Sequence, residues 1–165
     1  MLQQLAEANS RFVPREFLSL LQKESITETE LNDQTEGKMT VLFSDIRDFT
    51  PLSESMTPAE AFAFVNDYLG TMAPIIREHG GFIDKYIGDA IMAIFPGSPQ
   101  DEVAAGLKME ESLQTFNQHT ATAGKPPIRI GIHTGQLVAG IIGFADRLEG
   151  TVIGDCVNTA SRLEG

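Results

Sequence analysis

Gly80-Gly81-Phe82-Ile83-Asp84-Lys85-Tyr86-Ile87-Gly88-Asp89-Ala90-Ile91-Met92-Ala93-Ile94-Phe95 contains a helix stop, a strand, a tight turn and a second strand. The paired glycines suit the end of a helix, where the chain turns left-handed. Gly81 to Tyr86 and Ala90 to Phe95 then read as strands joined around Gly88-Asp89, a hairpin signal. Upstream, Thr57-Pro58 followed by Ala59-Glu60 is a helix start, with an N-cap threonine and proline at the first helical position. Apolar residues at Ala61, Phe62, Phe64, Val65, Tyr68, Leu69, Met72 and Ile76 give that helix one oily face. Before it, Met39 to Phe43 is apolar and β-branched, a strand that ends at Ser44-Asp45. After the hairpin come a second amphipathic helix from Pro99 to about Thr120, and strands at Ile128 to His133 and Leu137 to Ile142. Thr134-Gly135-Gln136 is expected to join those two strands. A short strand at Thr151 to Ile153 follows, and Gly154-Asp155 leads into a helix from about Val157. The order is strand, helix, strand, strand, helix, strand, strand. Its front part fits an α+β class, the split βαβ or ferredoxin-like plan, with a mainly antiparallel sheet and helices on one face.

Residues 1–38 differ in character. Spaced apolar residues from Leu5 to Leu21, broken at Pro14, predict two short helical pieces with a turn between them. Thr27 to Lys38 is polar and acidic and reads as a connector. The expected organisation is therefore an N-terminal helical linker segment, 1–38, and a single domain, 39–165. With 23 Asp and Glu against 12 Lys and Arg, the formal charge is −11. Such a surface argues against a nucleic-acid partner and repels free nucleotides unless metal ions or a few placed cations intervene. One cysteine, Cys156, excludes an internal disulfide and a cysteine metal site. With no signal peptide at the start and no long apolar run, a cytoplasmic location is expected.

Two carboxylates draw attention. Asp45 ends the first strand, and Asp89 sits in the hairpin turn. Taken singly, each reads as a turn residue. In a split βαβ sheet, however, the first strand lies beside the hairpin, so both reach the same sheet end. With the Ile46 carbonyl they offer hard oxygen ligands for Mg²⁺, and two such ions activate an attacking hydroxyl and stabilise a leaving phosphate. The loop from Ile46 to Thr50 precedes a helix, and its amides, including those of Phe49 and Thr50, suit phosphate oxygens. No Gly-x-x-x-x-Gly-Lys loop is present. Asn158 and Arg162 are four apart and share a helix face, where an amide and a guanidinium suit a sugar and a phosphate, or simply form a solvated face. Lys85 alone reads as an exposed strand lysine, His133 as structural, and Cys156 as a small residue at a helix start.

Four motifs, in order, resemble those of class III adenylate and guanylate cyclases. They are Val41-Leu42-Phe43-Ser44-Asp45-Ile46-Arg47-Asp48-Phe49-Thr50, the stretch from Gly80 to Ala90, Arg129-Ile130-Gly131-Ile132-His133-Thr134-Gly135, and Gly154-Asp155-Cys156-Val157-Asn158-Thr159-Ala160-Ser161-Arg162. The resemblance covers Met39 to Gly165, and Arg11-Phe12-Val13-Pro14 resembles the linker of bacterial members that follows a sensor. It implies that Asp45, Ile46 and Asp89 hold two divalent ions, Mg²⁺ or Mn²⁺. Asn158 and Arg162 then orient the ribose and stabilise charge on the transferring phosphate. Lys85 and Thr151 match the base-selecting positions, and this pair resembles the adenylate pattern of bacterial members. The implied partners are ATP, a second copy of the chain in a head-to-tail homodimer with shared sites, and an upstream sensor, with membrane anchoring of the parent left open. The implied reaction is conversion of ATP into 3′,5′-cyclic AMP and pyrophosphate in signal transduction.

Family domains run some tens of residues beyond the position of Gly165. The 165-residue chain is accordingly expected to have weak or no activity by itself. Two alternatives stay open: a guanylate cyclase, and a non-catalytic cyclase-homology module for regulation or dimerisation. A cyclic-dinucleotide synthase would need a Gly-Gly-acidic-acidic-Phe turn, and the turn here is Tyr86-Ile87-Gly88-Asp89-Ala90.

Overall fold

The computed structural model describes residues 1–120 and 126–165. Two short helices, α1 (Leu2–Asn9) and α2 (Arg15–Leu20), and a 3₁₀ turn at Ile26–Glu28 precede the sheet. Pro14 separates the helices, as the sequence predicts. The remaining elements are β1 (Gln34–Ile46), α3 (Phe49–Glu54), α4 (Pro58–Glu78), β2 (Phe82–Ile87), β3 (Ala90–Phe95), α5 (Pro99–His119), β4 (Ile128–Phe144), β5 (Arg147–Ile153) and α6 (Asp155–Glu164). The strands form one antiparallel sheet in the order β2-β3-β1-β4-β5.

Helix α4 opens with a full capping box. The Glu60 amide donates to the Thr57 hydroxyl, and the Thr57 amide donates to the Glu60 carboxylate at 2.8 Å. It closes at Gly80, whose φ of +80° lets the Gly81 amide reach back to the Ile76 carbonyl. Helices α4 and α5, those of the split βαβ part, pack on one face over Leu42, Ile46, Ile91 and Ala93. The other face is covered by α2 and α6, which seat Phe17, Leu21, Cys156 and Ala160 against Val41, Phe43, Met92 and Leu137.

Two strand readings change. The expected turn at Thr134-Gly135-Gln136 does not exist, and β4 runs unbroken through it. Thr134 pairs with Thr40 across the sheet, their hydroxyls 2.7 Å apart. A Cβ on Gly135 would lie 3.2 Å from the Cys156 Cβ, so this glycine makes room for α6 rather than for a bend. The polar connector also gives way partly to strand, because Gln34 to Lys38 extend β1 and pair with Gly140 to Gln136. These additions matter for shape. Beyond the segment of β1 that β3 covers, β1 and β4 continue together and carry β5 around. The sheet therefore curls: Phe82 of edge strand β2 and Val152 of edge strand β5 join one apolar cluster. Among the described residues, no helix is long and apolar enough to cross a membrane.

Candidate active site

The register of β1 against β3 pairs Ser44 with Ile91, which puts Asp45 and Ile46 beside the hairpin turn. The Ile46 amide donates to Asp89 Oδ2 at 2.8 Å, so the two predicted aspartates meet at one end of adjacent strands. Gly88, at φ +62°, makes the turn that delivers Asp89. Asp45 faces the side of the sheet that α6 covers. Directly opposite it on β4 is Arg129, which grips the carboxylate with both branches, Nε to Oδ1 at 3.0 Å and a terminal nitrogen to Oδ2 at 2.8 Å. Arg129 Nε also lies 3.3 Å from Glu164 Oε1 at the end of α6.

Three carboxyls thus surround one guanidinium. Burial, then the neighbouring Asp45 carboxyl, raise the affinity of Glu164 for its proton. Burial raises that of Asp89 too, against the opposing pull of the Ile46 amide. Glu164 Oε1 is buried and accepts no hydrogen bond. Negative charge is crowded here beyond what Arg129 neutralises, a setting that a divalent cation relieves. Among the described residues, no three His, Cys, Asp or Glu side chains form a ready metal cluster. Two carboxylates and a backbone carbonyl leave the remaining positions to water and phosphate, as suits Mg²⁺.

The Ile46–Thr50 loop is partly committed. The Arg47 amide donates to the Pro127 carbonyl at 2.9 Å, and Asp48 adopts a left-handed conformation that starts α3. Phe49 and Thr50 open that helix, so their amides have no carbonyl one turn back. The Phe49 ring stacks on Phe64, centroids 6.4 Å apart, which commits its side chain to packing against α4.

Lys85 lies on β2 and its ammonium is 3.2 Å from Glu149 of β5 and 3.7 Å from Asp84. The curl of the sheet makes the first contact possible, since β2 and β5 are its opposite edges. Thr151 is two residues from Glu149 on the same face of β5. Among the described residues no hydrogen bond joins Lys85 to Thr151; Lys85 lines a cleft of about 560 Å³, and Thr151 a separate one of about 150 Å³. Asn158 and Arg162 stand exposed on α6, one turn apart. Among the described residues, no hydrogen bond or ion pair ties either of them to Asp45 or Asp89. One chain therefore carries both sets of predicted residues without joining them.

Sequence reasoning missed Arg129 and Glu164. Arg129 acts across the sheet and Glu164 from the last turn of α6. Arg129 opens the motif that holds Gly131, and Glu164 lies just past the motif that ends at Arg162.

A profile of the adenylate and guanylate cyclase catalytic domain matches residues 31–165. An adenylate cyclase of Anabaena cylindrica is 46% identical over 171 residues, covering 99% of this chain and 34% of that protein. The chain thus spans about a third of that relative's length. The crystal structure of the guanylyl cyclase Cya2 superposes with a TM-score of 0.73 at 37% identity, covering 79% of this chain and 70% of that one. The structure of a bacterial light-regulated adenylyl cyclase superposes with a TM-score of 0.85 at 26% identity, covering 99% and 49%. The motifs and the curled antiparallel sheet agree with these likenesses, and the chain belongs to the adenylate and guanylate cyclase catalytic-domain family.

Proposed function

We propose that the chain is the catalytic part of an adenylate cyclase, which converts ATP into 3′,5′-cyclic AMP and pyrophosphate in a homodimer with two shared sites. The observation that carries the reading is the meeting of Asp45 and Asp89 through the Ile46 amide, beside surplus carboxylate charge. Asp45, Asp89 and the Ile46 carbonyl would hold two divalent ions, Mg²⁺ or Mn²⁺, which when bound supply Lewis-acid activation of the ribose 3′-hydroxyl and neutralise phosphate charge. The Phe49 and Thr50 amides, at the start of α3, are assigned to phosphate oxygens. Asn158 and Arg162, projecting from α6, are assigned to the ribose and the α-phosphate of the partner's site. The contribution of these groups is positioning and electrostatic stabilisation.

Lys85 supports the choice of ATP. An ammonium donates and never accepts, so it suits the unprotonated N1 of adenine and opposes the N1–H of guanine. A Thr151 hydroxyl accepts from the adenine amino group. The Anabaena adenylate cyclase, at 46% identity, points the same way. Residues 1–38 are assigned to coupling with an upstream sensor, and the domain to the ATP-rich cytoplasm.

The test is cyclic nucleotide formation from ATP and from GTP with Mg²⁺ or Mn²⁺, by wild type, Asp45→Ala, Arg162→Ala and a mixture of the two variants. Each variant alone is expected to be inactive. Random pairing makes about half the dimers mixed, each with one intact site of two, so the mixture recovers about a quarter of wild-type turnover. Product from GTP in preference to ATP would overturn the base assignment, and a mixture as inactive as its parts would overturn shared sites.

A further inference from the structure

Lys85 reaches its position through a defect in the sheet. The β2–β3 register runs from Ile83 opposite Ala93 directly to Lys85 opposite Met92, leaving Asp84 as an extra residue. Without this bulge, strand alternation would put Lys85 on the face of Ile83, which packs toward α4 and α5. With it, Lys85 shares the face of Met92, inside the curl. The bulge also turns Asp84 inward. Its side chain is only 2% exposed, and its Oδ2 accepts no hydrogen bond. A carboxylate buried this way destabilises a fold unless a charge compensates it. The cation nearest to it is the Lys85 ammonium, 3.7 Å away.

We propose that Asp84 is a positioning residue that holds the Lys85 ammonium aimed at the purine base, and so shares in deciding which nucleotide is accepted. This rests on the reading of Lys85 as the residue that meets the base. Glu149, the other partner of Lys85, has a side chain 50% exposed and stands on β5 two residues before Thr151. It is the partner that a base displaces, because its hydrogen bond to Lys85 occupies one donor in the open cleft. Asp84 stays when Glu149 leaves. The charged groups facing Asp84 are Lys85 and Glu149, with Arg11, Glu16 and Arg77 on the rim of the same cleft. Burial pushes the Asp84 carboxyl up to about 6, with Lys85 pulling the other way, so it is mostly ionised at neutral pH.

A residue that serves only the fold and one that positions Lys85 predict different behaviour for Asp84→Asn. The test measures kcat and KM for ATP and GTP, with thermal melting of each protein. The positioning role predicts a melting temperature no lower than wild type. KM for ATP rises about tenfold, kcat stays within about twofold, and the ATP-to-GTP ratio of kcat/KM falls about tenfold. An unchanged KM for ATP with an unchanged ratio would overturn the proposal. A second measurement needs no turnover: the Asp84 carboxyl is titrated by NMR in wild type and in Lys85→Met. Loss of the ammonium is expected to move that titration upward by about one pH unit, and no movement refutes the clamp. A wild type without preference for ATP would sink the adenylate reading, while the NMR titration still decides the role of Asp84.

Discussion

Replacing Gly131 by alanine tests how α6 is seated. A Cβ at Gly131 would lie 2.2 Å from the Ala160 carbonyl oxygen, 2.3 Å from the Glu164 amide nitrogen and 2.9 Å from the Glu164 Cα. All three are backbone atoms of one helix, so no side chain can swing aside. Relief requires α6 to back away from β4 by about 1 Å, to restore ordinary contact distances. That movement opens a gap over Cys156 and Ala160, the two residues α6 buries. A gap of this size forfeits about a quarter to a half of the dispersion attraction at each contact, and overpacking typically costs about 1–3 kcal/mol. The expected loss is therefore about 3 kcal/mol, or a melting temperature lower by about 6–12 °C for a domain of this size. Urea unfolding measures it, with an unchanged m-value as the sign that only stability moved. Gly70 inside α4 is the control, because an added Cβ there meets nothing within 4 Å. Gly70→Ala is expected to stabilise by about 0.5–1 kcal/mol through helix propensity. A Gly131→Ala protein within about 0.5 kcal/mol of wild type would refute the close seating of α6.

Two further outcomes follow from buried and paired charge. Glu102 of α5 is fully buried with neither carboxylate oxygen hydrogen-bonded, and burial pushes its carboxyl from 4.5 up to about 6. The folded chain then holds this proton more tightly than the unfolded chain, so wild type loses stability as pH rises between those values. Glu102→Gln removes the loss, and its stability relative to wild type should improve by roughly 2 kcal/mol from about pH 4 to about pH 8 in urea titrations; parallel curves would contradict it. Arg129→Met releases Asp45 from its two-pronged partner. Mn²⁺ binding to the free protein, followed by electron paramagnetic resonance, should tighten about tenfold because the competing cation is gone. Unchanged or weaker binding would show that Arg129 does not compete with a cation for the Asp45 carboxylate.

The elements that the sequence makes legible are those whose signals are local. Thr57-Pro58 and Gly80-Gly81 bracket α4 because caps act within a turn of themselves. The β2–β3 hairpin is legible because its turn residues are adjacent, and Asp45 and Asp89 converge because strand order alone brings their ends together. The misreading at Thr134-Gly135-Gln136 has the opposite cause. Gly135 looks like a turn, yet it is small because Cys156, 21 residues later, packs over it. Gln34 to Lys38 look like a connector because they alternate exposed and half-buried and carry little apolar surface; β4 recruits them through backbone pairing. Arg129 could not be assigned from its neighbours, since its partner lies across the sheet, 84 residues away. The bulge at Asp84 leaves no mark in a pattern of residue types, and only the register reveals it.

Under the proposed function, the same pairings would explain how a chain of charge −11 handles a polyanion. Neither Lys85 nor Arg129 is a free cation waiting for ATP. Asp84 and Glu149 hold the first, and Asp45 and Glu164 hold the second. Free nucleotide therefore meets carboxylates that already own the nearby positive charge, and binding it would leave those carboxylates uncompensated. A nucleotide arriving with divalent ions changes the balance, because Asp45 can release Arg129 only in exchange for another cation. Such an exchange would keep the partly buried Asp45 carboxylate paired throughout and would give charge complementarity without a basic patch on the surface. On that reading, selectivity for the metal complex over free nucleotide would be a property of side chains paired across adjacent strands, Asp45 on β1 and Arg129 on β4, and the acidic surface would reinforce it rather than oppose it.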